Sequence, residues 1–326
     1  MASTEVKPSG AAHGYGAHDA PVVQGGRSLA QHGSTFHLAH MLLGRRAAED
    51  VRLLYGFFRF VDDVVDEQPE DDARRDLARV RADLARGDST DPAVEGYLRF
   101  CARRAVDPQV MDEFLAGVEQ DLAVRSYSTE ADLLRYCYRV AGTVGLTMCN
   151  LFEVDSDRAR PFAIDLGIGM QLTNICRDVM EDARRARVYL PADKTGGALD
   201  PAELAARAGN AEARARVAVE RLLGLANSYY RSADAGMTHL PGRARLAVLT
   251  ASRCYEAIGG RVLASPRGAV PERVYVNGPR KLLHLLRAFG SAGQVSIAGV
   301  LVREPKHLAS LHVALTGKPG VNPLAK

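Results

Sequence analysis

Two segments carry carboxylates at a spacing suited to divalent cations. From Leu53 to Asp66, the side chains of Phe57, Phe58, Phe60, Val61, Val64 and Val65 cover most of a helix with apolar surface, the pattern of a buried helix. Tyr55, Arg59, Asp62 and Asp66 interrupt it at offsets 0, 4, 7 and 11, which places them within about 60° of arc on one stripe. From Ile168 to Asp182 the design recurs, with Gln171, Asn174, Asp178 and Asp182 at offsets 0, 3, 7 and 11. Carboxylates at i and i+4 stand about 6 Å apart along a helix and repel each other. Buried charge without a partner is costly. Hard cations with oxygen ligands compensate, and Mg²⁺ takes one or two protein carboxylates while completing its shell with water and phosphate oxygens. A single Asp-x-x-x-Asp is more often a solvated pair. Two of them on otherwise apolar helices, each with further polar residues in register, predict a site that holds Mg²⁺ (with Mn²⁺ as a substitute) and binds a diphosphate between the stripes.

The elements that must position these stripes are helical. Strand signals are scarce, and helical periodicity runs from about residue 28 to 289. The spacing predicts helices over 28–43, 46–66, 70–86, 92–105, 108–122, 130–152, 157–183, 201–208, 210–235, 241–261 and 279–289. Breaks fall at Gly87–Pro92, at Asp107–Pro108, at Pro191–Pro201 and at Ser265–Pro271. The fold class is all-α, with residues 27–290 as one domain, 1–26 as a disordered N-terminal tail and 291–326 as a C-terminal tail.

Composition narrows the function further. The 326 residues are 47% hydrophobic and 25% charged, ample for a core. The net charge is only +3, six of the 42 basic residues are Lys, and no block of five like charges occurs, so nucleic-acid binding has no electrostatic footprint. The leader lacks an apolar core, and no run of about 18 apolar residues exists to span a bilayer. The segment Lys281–Phe289, with Leu282, Leu283, Leu285 and Leu286, reads as a short core helix in preference to a bilayer-docking one, so membrane contact is at most peripheral. Five Cys, odd in number and widely spaced without a C-x-x-C, read as buried reduced thiols of a cytoplasmic protein. A G-x-G-x-x-G fingerprint after a strand is missing, and NADPH is not indicated.

The two stripes and their flanks resemble the squalene/phytoene synthase family. Phe58-Arg59-x-x-Asp62-Asp63-x-x-Asp66 is similar to its first aspartate motif, and Gln171-Leu172-Thr173-Asn174-Ile175-x-Arg177-Asp178-x-x-Glu181-Asp182 to its second. The continuation Ala183-Arg184-Arg185-x-Arg187-Val188-Tyr189-Leu190-Pro191 also fits. So do Tyr136-x-Tyr138-x-Val140-Ala141-Gly142-Thr143-Val144-Gly145 and Arg273-Val274-Tyr275-Val276. The resemblance implies an isoprenoid-synthase-type bundle around a central apolar cavity. It implies Asp62, Asp66, Asp178 and Asp182 as Mg²⁺ ligands. Arg59, His32, Thr35 and Tyr255 would lie near the diphosphate, with Arg273 as a further candidate. Gln171, Asn174 and Tyr136 would line the reaction zone. Phe36 would stand at the top of the prenyl tunnel, and Tyr55, on the first stripe, joins the substrate-binding set. Mg²⁺ and Arg suit a departing diphosphate, and an apolar pocket shields the allylic cation left behind. Arg184, Arg185 and Arg187 read as a flap over the diphosphate, against a solvated turn. Gly142 and Gly145 read either as a close approach to substrate or as helix packing.

The match departs from the family pattern at several positions. Ser34 stands where a base is usual, His37 and His40 follow Phe36, and Gly44 replaces a Pro. Cys176 and Met180 enter the second motif, and Gly259–Pro266 is unlike the usual charged stretch. The resemblance implies Mg²⁺-dependent head-to-head condensation of two prenyl diphosphates, of phytoene, squalene or presqualene type. The departures leave a second reading, transfer of a prenyl group to a small aromatic acceptor such as an indole-like or phenolic ring.

Overall fold

The structure, a computed structural model, describes residues 45–123, 126–154, 156–266, 270–271 and 306–321. The expected helices at 28–43 and 279–289 lie outside these residues.

The chain forms α1 (Arg45–Glu67), α2 (Glu70–Arg86), α3 (Pro92–Arg104), α4 (Pro108–Ala123) and α5 (Glu130–Cys137). A π-helical turn, Tyr138–Gly142, joins α5 to α6 (Thr143–Phe152). After these come α7 (Arg160–Arg184), the short α8 (Ala192–Thr195) and α9 (Pro201–Ala205), α10 (Ala211–Gly236) and α11 (Gly242–Leu263). Among the described residues, β-structure is limited to one isolated bridge between Ser126 and Val188. The all-α expectation is borne out.

Local chemistry explains the helix ends. Pro69 precedes α2, whose first turn carries Glu70, Asp71 and Asp72 against the helix dipole; Gly87 (φ 75°) ends it, its N–H donating to the Asp83 carbonyl. The Asp91 carboxylate caps α3 by accepting from Ala93 N–H at 2.8 Å. Thr129 and Asp132 form a reciprocal capping box on α5. The helix expected over 201–208 stops at Ala205, because Arg207 (φ 53°) and Gly209 (φ 58°) turn the chain out.

Two large apolar clusters build most of the core, and a small third one gathers around Met237 and Leu249. One large cluster gathers α1 to α4, with Phe57 stacked on Tyr97 at 4.4 Å and Phe58 edge-on to Phe114 at 4.9 Å. Phe57 is fully buried, and burying such a ring contributes roughly 1.5–3 kcal/mol. Asp50, also buried, ties α1 to α3 by accepting from Arg104 Nη2 at 2.7 Å. The other large cluster centres on α7 against α10, with Thr173 Oγ1 and Tyr230 Oη 2.9 Å apart between them. Here glycines set the packing. A Cβ on Gly145 would lie 2.2 Å from the Ala163 carbonyl oxygen, and one on Gly167 equally close to that of Ala141. Gly145 therefore serves helix packing, and it also borders the central cavity. Cys137, Cys149, Cys176 and Cys254 are buried thiols, while Cys101 is only half-buried.

The C-terminal segment returns to the bundle. Residues 291–326 read as a tail in the sequence, yet 306–321 pack on the core through Leu315 and His312, both buried. Tyr229 Oη donates to the Leu311 carbonyl at 2.8 Å, and Tyr138 Oη to that of Pro319 at 2.8 Å.

Candidate active site

A cavity of about 390 Å³ opens between the two large clusters. Its walls are apolar, with Val140, Met148, Phe162, Leu166, Met170 and Leu240 among them. Its polar lining comes from Asp62 on α1, Gln171 and Asn174 on α7, His239 in the turn that follows α10, and Tyr255 on α11. Members of both stripes thus meet at one apolar chamber.

On α1, Asp62 is open to the cavity but walled by protein on its other sides. That burial, with Asp66 one turn away, pushes its carboxyl up to about 7 against the opposing charge of Arg59. Arg59 itself turns to Asp63, donating from Nε to Oδ2 at 3.0 Å, with Glu67 3.8 Å from Nη2. The anionic partner that a polar-stripe Arg needs is thus supplied within its own helix. Asp66 stands half-exposed at the rim, with Arg185 at 3.7 Å and Arg187 at 3.5 Å. Tyr55 is half-buried one turn before Arg59.

On α7, the Asn174 amide donates to Gln171 Oε1 at 3.4 Å and hydrogen-bonds the Tyr255 hydroxyl. Its own Oδ1 is buried without a hydrogen-bond partner. Asp178 accepts from Arg177 Nε at 2.8 Å and Nη2 at 2.5 Å. Burial, then the neighbouring Asp178 and Glu181, push Asp182 up to about 8. The partly dehydrated Asp62 and Asp182 carboxylates and the unpartnered Asn174 oxygen offer oxygen donors only, the ligand type that suits a hard divalent cation.

A further carboxylate, absent from the sequence reading, completes the polar end. Asp121 on α4 accepts from Tyr136 Oη at 2.9 Å and from Tyr189 Oη at 2.8 Å. The rings of Tyr136 and Tyr189 stack at 5.4 Å, and Tyr127 lies 5.4 Å from Tyr136. Burial lifts Asp121 to about 6, opposed by the two hydroxyls and by Arg187. The loops holding Tyr127 and Tyr189 are pinned together where Ala192 N–H donates to the Tyr127 carbonyl at 2.9 Å. Asp121 is one of four acids on an amphipathic helix, and nothing in its spacing sets it apart from Asp112, Glu113 or Glu119.

The basic run after α7 divides. Arg187 is largely buried between Asp66, Asp121 and Tyr189, and Arg185 reaches Asp66, whereas Arg184 is exposed. For Arg187 the solvated-turn reading fails. His32, Thr35, Phe36 and Arg273 lie outside the described residues, as do Ser34, His37, His40 and Lys281–Phe289.

The family model for squalene/phytoene synthase matches residues 29–280. The chain belongs to the squalene/phytoene synthase family. Like its relatives it is a prenyl transferase. It is 36% identical to a phytoene synthase of Pseudescherichia vulneris, over 81% of this chain and 89% of that one. It is 35% identical to a 15-cis-phytoene synthase of Enterobacter agglomerans, over 79% and 91%. Among solved structures, a dehydrosqualene synthase in complex with ligand superposes with a TM-score of 0.72 at 26% identity, covering 82% of this chain and 94% of that one. A squalene synthase from Alicyclobacillus acidocaldarius shares the fold, with a TM-score of 0.60 at 21% identity, over 71% and 88%. For this squalene/phytoene synthase family member, no helix among the described residues is long and apolar enough to cross a membrane.

Proposed function

We propose that this prenyl transferase joins two allylic prenyl diphosphates head-to-head into a phytoene-type product, with Mg²⁺ held by Asp62, Asp66, Asp178 and Asp182. The observation that carries the reading is the convergence of Asp62, Gln171 and Asn174 on one apolar cavity, in a chain 36% identical to a phytoene synthase. Bound Mg²⁺ would offset the charge that builds on the departing diphosphate.

The remaining work falls to the chain's own groups. Arg185 and Arg187, resting on Asp66, are cations at the polar end that a diphosphate can recruit. Asn174 and Tyr255, hydrogen-bonded to each other, orient polar atoms at the mouth. Val140, Met148, Phe162, Leu166 and Met170 exclude water from the allylic cation left when the first C–O bond breaks. The π electrons of the second prenyl chain form the new C–C bond to that cation. Loss of two protons and of the second diphosphate then leaves a hydrocarbon, with no electrons supplied from outside. NADPH has no part in this reading, and Mn²⁺ would substitute for Mg²⁺ through the same oxygens. The five free thiols support a cytoplasmic setting. Transfer to an aromatic acceptor draws no support from the relatives, which are phytoene synthases by name.

The test is product analysis by mass spectrometry. The purified protein with Mg²⁺ receives C5, C10, C15 or C20 prenyl diphosphate, each alone, with an EDTA control. A doubled-chain hydrocarbon lost with EDTA is the expected result. Failure to couple any chain length overturns the reading and redirects the search to aromatic acceptors.

A further inference from the structure

Away from the aspartate stripes, a second set of metal-binding groups comes together. Asp165 on α7 is completely buried, and among the described residues its carboxylate meets two imidazoles. His307 Nε2 lies 2.8 Å from Oδ2, and His312 Nε2 lies 2.7 Å from Oδ1. One donor atom from each of the three residues falls within 4.8 Å of the others. His312 is 2% exposed and the His307 side chain 9%. The His312 Nδ1 atom is buried without a hydrogen-bond partner.

We infer that Asp165, His307 and His312 form a structural site for a divalent transition metal of the Zn²⁺ class, which fastens the C-terminal segment to α7. The donor set is two imidazole nitrogens and one carboxylate, which suits Zn²⁺, Co²⁺ or Ni²⁺ better than Mg²⁺. That separates it chemically from the all-oxygen stripes of the active site. The spacing His307-x₄-His312 falls within the range of zinc-binding pairs. Zinc–ligand bonds of about 2.0–2.2 Å require the three atoms to spread slightly from their hydrogen-bonded distances, leaving a fourth position for water. Charge favours the ion as well. A divalent ion would place positive charge beside a carboxylate that lies fully buried in the protein interior.

The position assigns the site a purpose. Phe162 and Leu166, beside Asp165 on α7, line the catalytic cavity, and the His307 ring meets Phe162 edge-on at 5.4 Å. The site therefore sits directly behind the cavity wall. Metal here would anchor one end of the segment, while Tyr229, Tyr138 and the Lys318–Glu113 pair at 2.7 Å hold the rest. The inference does not depend on which prenyl reaction the active site performs.

The experiment uses the full chain, stripped with chelator and kept in excess Mg²⁺ to load the stripes. Co²⁺ is titrated by its visible d–d absorption, and Zn²⁺ by competition with a chromophoric chelator. One tight equivalent is expected for the natural protein and for Asp62→Ala. At least tenfold weaker binding is expected for His312→Ala and for Asp165→Asn. Saturating zinc is also expected to raise the natural protein's Tm by roughly 5 °C and to slow proteolysis within residues 306–321, readouts that need no variant to fold. Equal binding by His312→Ala and the natural protein would place the metal elsewhere and overturn the inference. Proteolysis at the same rate with and without zinc would overturn it too.

Discussion

The Tyr136 hydroxyl donates to Asp121 Oδ2 at 2.9 Å, and the other oxygen of that carboxylate is taken by Tyr189. A residue assigned to the reaction zone from its motif is therefore held by an acid that no motif named. Removing the acid leaves two inward-facing hydroxyls unpaired, at about 1–3 kcal/mol each. Asp121→Ala is expected to destabilise the protein by about 2–5 kcal/mol in urea denaturation. Tyr136→Phe is expected to cost about 1 kcal/mol. If Asp121 positions Tyr136 for the reaction, Asp121→Asn lowers kcat by at least about tenfold with KM within about twofold, the pattern of an interaction made in the transition state. An unchanged kcat in a folded Asp121→Asn protein would confine this pair to stability.

The same carboxyl gives a pH prediction with a definite sign. Its folded value of about 6 lies above the ordinary carboxylate value of 3.8. The folded state therefore binds the proton more tightly than the unfolded state does. The associated stability is complete below the ordinary value and is lost as pH rises through about 6. The stability of the natural protein minus that of Asp121→Asn is expected to fall by up to about 3 kcal/mol between pH 4 and 7. Parallel urea curves at several pH values read this difference. A difference that grows with pH would refute the assignment.

Arg187 and Arg184 are three residues apart but differ in setting. Arg187 lies within 3.5 Å of Asp66 and is mostly buried, while Arg184 is exposed. Arg187→Gln is expected to lower kcat/KM by at least about tenfold, the scale of one charge-assisted contact to a diphosphate. Arg184→Gln is expected to change it by less than about twofold. Steady-state kinetics on the two variants check the division, and equal effects would return the whole run to the status of a basic turn.

Glycine substitutions test the packing of α7. At Gly145 or Gly167 a methyl group would press into a carbonyl oxygen at 2.2 Å. Ala at either position is expected to cost about 3 kcal/mol or more, or to prevent folding. Gly224, inside α10, has open space where a methyl group would sit, with nothing within 4 Å. There Ala is expected to raise stability by about 0.5–1 kcal/mol, because Gly is a poor helix former. Thermal melts of the three variants decide it.

Much of the site was legible because its signal is local. Asp62 with Asp66, and Asp178 with Asp182, are read from repeats along single helices, and the helix ends follow from Pro69, Gly87, Asp91 and Thr129. Arg59 shows the limit of that reading. Its place on the stripe is correct, but the direction of its guanidinium, toward Asp63 rather than into the cavity, depends on side-chain rotamers that spacing does not set.

By itself the sequence determined the all-α class, the two carboxylate stripes and the family, since helical periodicity and motif spacing act over a few residues. Tertiary structure alone decided which distant residues meet. Asp121 joins Tyr136 and Tyr189 across separations of 15 and 68 residues, and Asp165 meets His312 across 147. No periodic pattern records such pairs. They arise only when helix packing closes long stretches of chain and leaves each buried carboxylate to be satisfied by whatever donor the fold brings beside it.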